Sequence, residues 1–131
     1  MPIQYKEPRI QQEFMSLGEN NPTLQRLLYL ASEYAELEFG KPIVLTCIYR
    51  SPAENAALYS ASVEPTWKPH TLWLAADLRS SIYTPQEINK MLSVLNNVTV
   101  FGGQRKAAAY HEIAGNVYHY HIQCSRKDIN A

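Results

Sequence analysis

The sequence lacks an excess of either charge, and it also lacks long apolar runs. Lys and Arg total 12, Asp and Glu total 12, and the formal net charge is zero. Because proteins that bind through phosphate contacts are usually basic, we expect no nucleic-acid partner. No apolar run approaches the roughly 18 residues that a membrane-spanning helix needs, so we expect no membrane partner.

The first residues lack the apolar stretch of a secretory signal peptide. We therefore expect synthesis in the cytoplasm, so that any action outside the cell requires release by another route. Cysteine is scarce: Cys47 and Cys124 are too few for a disulfide framework. We expect both to be reduced and buried as small apolar side chains.

The chain of 131 residues is long enough for one domain with a hydrophobic core. Residues 1–20 are weakly patterned, and we expect them to form an N-terminal arm or short helix on a core of residues 21–125. Helical patterns come early and paired strands come late, which predicts an α+β fold. Its small, mostly antiparallel sheet is expected to pack against the helices, and we expect a monomer.

Three capping signals predict where helices begin. Asn21, Ser51 and Thr84 each precede a proline, and proline is favoured at the first helical position. Glu54 and Glu87 complete a capping box with Ser51 and Thr84, respectively. The predicted helices are 22–39, 54–60 and 85–96. The predicted strands are 42–50, 72–78, 98–101, 107–113 and 117–124, the last two as a hairpin.

Alternation along two predicted strands places ligand-type side chains on shared faces. Trp73 and Asp77 share the face of one strand that points away from the core, and His119 and His121 share one face of the other. If both strands belong to one sheet, these groups can line one cleft, with His70 on the preceding loop. Two imidazoles and one carboxylate are the ligand set of a catalytic zinc site with an open fourth position.

Such a site also needs a proton carrier and a positive group. Glu112 pairs opposite His119 if the hairpin loop has two residues, whereas His111 takes that place if the loop has three. Arg50, at the end of the first predicted strand, could bind a substrate carboxylate. The alternative is a purely structural salt bridge between Arg50 and Asp77.

Three motifs resemble one family. His70 and Asp77 have the spacing of the pattern Ser-x-His-x-x-Gly-x-Ala-x-Asp in zinc D-Ala-D-Ala peptidases. The His-Tyr-His sequence at 119–121 resembles the His-x-His of that superfamily, which includes murein endopeptidases, small phage endolysins and the hedgehog signalling domain. Tyr49-Arg50-Ser51 is similar to their Tyr-Arg-Ser motif, whose arginine contacts substrate. The resemblance covers about residues 22–125, with the motifs in the same order.

The resemblance implies a hedgehog/DD-peptidase-like fold with zinc held by His70, Asp77 and His121. It also implies hydrolysis of peptide bonds in peptidoglycan stem peptides or cross-links, of the carboxypeptidase or endopeptidase type. Arg50 and Trp73 are then the expected substrate-binding residues. A phage or prophage lysis enzyme that reaches the cell wall after release suits this size and the missing signal peptide.

The chain departs from the family pattern at three positions. Lys68 stands where the family usually has serine, and Trp73 stands where it has glycine, which would narrow the groove. Tyr118 occupies the position at which many members carry the catalytic Asp or Glu. We therefore expect His119 first and Glu112 second as the proton carrier. The alternative is a non-catalytic zinc- or peptide-binding module of the same fold, such as a phage structural protein.

Overall fold

The computed structural model describes residues 3–54, 72–73, 75–98, 108–113 and 117–123, with the last two ranges described by their backbone. The strands are β1 (Gln4–Tyr5), β2 (Val44–Cys47), β3 (Ala75–Arg79), β4 (Ala108–Ile113) and β5 (Val117–Gln123). The helices are α1 (Pro8–Asn20), α2 (Pro22–Phe39) and α3 (Pro85–Val98).

The five strands form one sheet in the order β1-β2-β3-β5-β4. β1 runs parallel to β2, and the pairings β2–β3, β3–β5 and β4–β5 are antiparallel. The last strand in sequence, β5, therefore lies between β3 and β4. This arrangement confirms the predicted α+β class with a mostly antiparallel sheet.

The N-terminal segment, predicted as an arm or a short helix on the core, contributes β1 and α1 to the domain. β1 extends the edge of the sheet through hydrogen bonds from Gln4 N to Ile43 O (2.9 Å) and from Lys6 N to Leu45 O (3.0 Å). α1 then buries one apolar face in the main core. The buried residues of that face are Ile10, Phe14 and Leu17. Because α1 covers part of the core, this helix stabilises the fold through apolar burial.

α2 begins and ends where the sequence predicts. The Asn21 side chain accepts a hydrogen bond from Leu24 N at 3.1 Å, which satisfies one of the unpaired N–H groups of the first turn. Gly40 ends the helix in the left-handed conformation, with φ of 64°, which costs glycine little because it has no Cβ. The buried face of α2 consists of Leu24, Leu27, Leu28, Ala31, Ser32 and Ala35.

Both predicted capping boxes are formed. Ser51 N donates to Glu54 Oε1 at 2.9 Å, and Glu54 N donates back to Ser51 Oγ at 3.2 Å. Thr84 and Glu87 make the same reciprocal pair at 2.8 and 3.2 Å. The first helical turn after Ser51 covers residues 52–54, and the rest of that predicted helix lies outside the described residues.

α3 is longer than predicted. It continues through Val98, which the sequence pattern had assigned to a strand over 98–101. Residues 99–101 lie outside the described residues. Ile88, Met91 and Leu95 are the buried residues of α3, as its three-four spacing predicts.

β3 begins later than predicted, which corrects the face assigned to its first residues. Leu72, which strand alternation would place in the core, is 43% exposed, whereas Trp73, predicted on the other face, has φ of 60° and packs partly buried against the core. The strand is described from Ala75. From there the alternation holds, because Ala76 and Leu78 join the main core. Asp77 lies on the opposite face and is nevertheless buried.

One apolar core joins α1, α2 and α3 to a single face of the sheet. Its fully buried large side chains are Phe14, Leu17, Leu24, Leu28, Ile43, Leu45, Ile48, Leu78, Met91 and Leu95. The candidate site residues of β3 therefore lie on the sheet face away from the helices. None of the helices in the described part of the chain combines the length and apolarity needed to cross a membrane.

Candidate functional site

Two of the three predicted metal ligands are adjacent in the sheet. The antiparallel pairing of β3 and β5 places Asp77 directly opposite His121. Residues that pair directly in this way share a sheet face and have Cβ atoms about 4.5–5.5 Å apart. On the other side of β3, the register pairs Asp77 with Cys47 of β2. The third predicted ligand, His70, lies outside the described residues.

The hairpin register settles the alternative that the sequence left open. Ile113 pairs with Val117, so the β4–β5 loop has the three residues 114–116. His111 is therefore the partner of His119, and Glu112 pairs with Tyr118. The two-residue loop that would bring Glu112 to the face of His119 and His121 is not formed. Neighbouring strand positions lie on opposite faces of a sheet, so in this register Glu112 lies on the face opposite to His119 and His121. This position disfavours Glu112 as the proton carrier.

His119 occupies the same face as His121, two positions away along β5. Its neighbours across the ladders are Arg79 of β3 and His111 of β4. Positions two apart on a strand are about 7 Å apart. This placement puts His119 near His121, as the prediction of a proton carrier requires.

Arg50 lies beside Asp77 on the side of β2. Its Nη2 is 3.5 Å from Asp77 Oδ2, and the two side chains are only 10% and 1% exposed. Its Nε donates to Cys47 Sγ at 3.3 Å. A single guanidinium thus contacts both a thiol and a buried carboxylate. Cys47 is half-buried rather than fully buried as expected, and Cys124 lies outside the described residues.

Trp73 and Tyr49 form an aromatic pair next to this cluster. Their rings stack with centroids 4.7 Å apart and an interplanar angle of 20°. The Trp73 carbonyl accepts a hydrogen bond from Asn21 Nδ2 at 2.9 Å. Asn21 therefore caps α2 with its oxygen and holds the turn before β3 with its nitrogen. Because Tyr49 directly precedes Arg50, the pair places the indole next to the backbone that carries Arg50.

The positive φ of Trp73 is unusual for a bulky side chain. Residues other than glycine adopt the left-handed region at a cost, and such conformations persist where the surrounding structure holds them. Here the stack on Tyr49 and the hydrogen bond from Asn21 hold it. Position 73 is also the one at which the peptidase pattern has glycine. Trp73 thus adopts the left-handed backbone conformation that the glycine of the pattern would adopt at little cost.

A surface ion network contacts the backbone on both sides of Arg50. Arg9 of α1 contacts Glu13 and Glu54, and both carboxylates also accept hydrogen bonds from backbone N–H groups beside Arg50. Hydrogen bonds from Arg9 and from Ser51 lower the pKa of Glu54 to about 2. Hydrogen bonds from Arg9 to Glu54 and, as the second largest cause, to Glu13 raise the pKa of Arg9 above its ordinary value.

The donor set suits a divalent metal such as zinc. Asp77 offers a buried carboxylate, and His121 is its cross-strand partner, so two zinc-type ligands share one sheet position. Within the described ranges, no group of three or more His, Cys, Asp or Glu side chains forms a metal cluster. His70 and the side chains of His119 and His121 lie outside that description.

Sequence reasoning missed two parts of this region. The contact between Arg50 and Cys47 joins residues three apart at the end of a strand, and no common motif signals it. The link between Arg9 and Glu54 is long-range, and only the four-residue spacing of Arg9 and Glu13 hinted at an ion pair on α1.

No family model, curated protein or solved structure matches the chain. The fold class therefore depends on the sheet and helices described above, and inferences about function depend on the residues of the site.

Proposed function

We propose that this protein is a zinc-dependent peptidase that hydrolyses peptide bonds in peptidoglycan, with a hedgehog/DD-peptidase-like fold. The observation that carries the proposal is the direct pairing of Asp77 with His121, beside the buried Arg50. The sequence pattern assigns Asp77 and His121 as ligands without reference to their contacts. Their adjacency in the sheet is independent support, because the two residues are 44 positions apart in the chain.

Position 73 adds further support. The motif that contains Asp77 has glycine four residues before the aspartate, and here that residue is Trp73 with φ of 60°. A left-handed backbone is uncommon at residues other than glycine, so its occurrence at the glycine position of the pattern supports the alignment. Trp73 packs partly buried against the core and stacks on Tyr49, so a substrate-binding role would fall to the edge of its ring that stays accessible.

Each residue of the site has a chemical task in the proposed reaction. His70, Asp77 and His121 would hold zinc, which supplies Lewis-acid activation of a water molecule and of the substrate carbonyl. Arg50 donates hydrogen bonds to a substrate carboxylate or to the developing oxyanion. His119 accepts a proton from the attacking water and returns it to the leaving amine, so that the C–N bond breaks and a C–O bond forms.

Product analysis tests this proposal. Purified protein with zinc is incubated with peptidoglycan, and soluble muropeptides are examined by mass spectrometry. We expect peptide-bond hydrolysis that is lost on chelation and in Asp77→Asn. The control Glu33→Gln makes the same charge change at an exposed position of α2 and should retain activity. Wild-type protein that binds zinc but produces no hydrolysis would overturn the catalytic proposal.

One observation favours a second candidate, a non-catalytic zinc- or peptide-binding module of this fold. The register pairs Glu112 with Tyr118, so neither position supplies a carboxylate to the face of His121. In the peptidase pattern a carboxylate at the position of Tyr118 does the proton transfer. Zinc binding together with saturable binding of muropeptides, without cleavage, would identify this second function.

A further inference from the structure

The strongest unassigned feature is the ion network centred on Arg9 of α1. Arg9 Nε donates to Glu13 Oε2 at 2.6 Å. Its Nη1 and Nη2 donate to the two oxygens of Glu54 at 2.8 and 3.0 Å, and Nη2 also donates to the Tyr49 carbonyl at 3.1 Å. One guanidinium therefore joins α1, the end of the β2 segment and the first turn after Ser51.

The two carboxylates of this network also hold the backbone on either side of Arg50. Glu13 Oε1 accepts from Tyr49 N at 3.0 Å, and Glu54 Oε1 accepts from Ser51 N at 2.9 Å. The peptide groups before and after Arg50 are thus fixed by charged partners. This support comes after the last ladder pair of β2, at Cys47, where the sheet no longer holds the chain.

The position of the network argues against a role confined to global stability. The Arg9 side chain is 49% exposed, and exposed ion pairs contribute little to the free energy of unfolding because water screens them. Arg50, which the network flanks, is by contrast buried against Asp77. Charge-assisted hydrogen bonds of good geometry fix orientation even where they add little stability.

We propose that Arg9 and Glu13 are positioning residues, which hold the Tyr49–Ser51 segment so that Arg50 keeps its guanidinium against Asp77. The inference rests on the proposed function, in which Arg50 contacts substrate. Under this proposal α1, which carries Arg9 and Glu13, supports the site. α1 precedes the region over which the chain resembles the zinc peptidases, so this support belongs to the N-terminal segment.

The first test measures how well ordered the Arg50 side chain is, and it requires no enzymatic activity. In metal-free protein, NMR follows the exchange of the Arg50 Nε–H with solvent, with the signal assigned by its loss in Arg50→Lys. We expect Arg9→Gln and Glu13→Ala each to speed this exchange about tenfold, because the segment that carries Arg50 loses charge-assisted hydrogen bonds in both variants. The melting temperature should change little in Arg9→Gln, because the Arg9 side chain is 49% exposed. Arg26→Gln removes an exposed arginine from α2 and should leave the exchange unchanged.

The second test uses the peptidoglycan assay on zinc-loaded protein. We expect Arg9→Gln to raise KM for the stem peptide about tenfold while zinc content and kcat stay near the wild-type values. Unchanged Arg50 exchange in both Arg9→Gln and Glu13→Ala would overturn the positioning role. Faster exchange in variants of a protein whose wild type cleaves nothing would support the positioning role and overturn the peptidase function instead.

Discussion

Asp77 and His121 are direct partners across the β3–β5 ladder, although 44 positions separate them in the chain. Asp77 is 1% exposed, and Arg50 lies at its side. A buried carboxylate needs a compensating charge, because desolvation of the anion is costly. Arg50 provides one such charge, and a divalent metal held with His121 would provide another. The site is therefore built around a carboxylate whose surroundings favour cations.

The three-residue hairpin loop predicts which residue carries the proton. His119→Ala should lower turnover of peptidoglycan by roughly 10²–10⁴ while zinc content stays the same, because a positioned general base is lost. Glu112→Gln is the matched control, since the register pairs Glu112 with Tyr118. It should leave turnover near the wild-type value. Activity lost in Glu112→Gln and kept in His119→Ala would contradict the register on which the assignment depends.

Arg50 is predicted to stabilise the metal-free fold as well as to bind substrate. Arg50→Met should lower the free energy of unfolding by about 3 kcal/mol, because a buried ion pair loses one of its members. Saturating zinc should recover part of this loss, since metal binding neutralises the same carboxylate. Urea denaturation with and without zinc measures both effects. Arg26→Met, at an exposed position of α2, should change stability by less than about 0.5 kcal/mol, and equal losses in both variants would refute the ion-pair account.

Replacing Asn21 is predicted to destabilise the fold more than replacing Asn20, because the Asn21 amide forms hydrogen bonds with α2 and with the Trp73 backbone. Asn21→Ala removes the α2 cap and the hydrogen bond to the Trp73 carbonyl, at a cost of about 2 kcal/mol. Asn20→Ala removes only an exposed hydrogen bond to Ser16 O and should cost less than about 0.5 kcal/mol. Thermal denaturation compares the two. A similar small loss in both would show that the link from α2 to Trp73 contributes nothing.

Acid should weaken the network between Arg9 and Glu54. The pKa of Glu54 falls from its usual value of 4.5 to about 2 in the folded protein. Because the folded-state pKa is lowered, this stabilisation is present above pH 4.5 and is lost as the pH falls toward 2. Because the Arg9 and Glu54 side chains are exposed, water screens the pair, and we expect the unfolding free energy of Arg9→Gln to depend only slightly less steeply on pH in that window than that of wild type. Arg26→Gln should keep the wild-type slope, and a parallel curve for Arg9→Gln would rule out the pairing.

Short-range signals in the sequence were sufficient for three of the helix starts. Asn21, Ser51 and Thr84 each form the predicted cap, because a capping interaction involves only residues within one turn. The core face of α2 followed for the same reason, since its periodicity is local. The class of fold was also predictable from the order of these elements.

Long-range pairing and backbone conformation were harder to predict from the sequence. β1 has two residues, too few for any alternation, and α1 was not recognised as a core helix. The start of β3 was placed too early because Trp73 fits an alternating pattern, while its left-handed backbone cannot be read from residue type. The hairpin register depended on whether the loop had two or three residues, and the sequence allowed both.

The candidate site was predictable in part. Ala76 and Leu78 join the core, as the predicted alternation requires, and the sheet pairs β3 with β5. The contacts of Arg50 with Cys47 and of Arg9 with Glu54 depend on tertiary packing and could not be predicted from spacing.

Zinc reactivation tests the central claim most directly. Metal-free protein is titrated with zinc while hydrolysis of peptidoglycan stem peptides is followed. We predict that activity rises linearly and reaches its plateau at about one zinc per chain, the stoichiometry of a single-metal catalytic site. Activity that is independent of zinc, or a fully zinc-loaded protein that releases no peptide, would contradict the account.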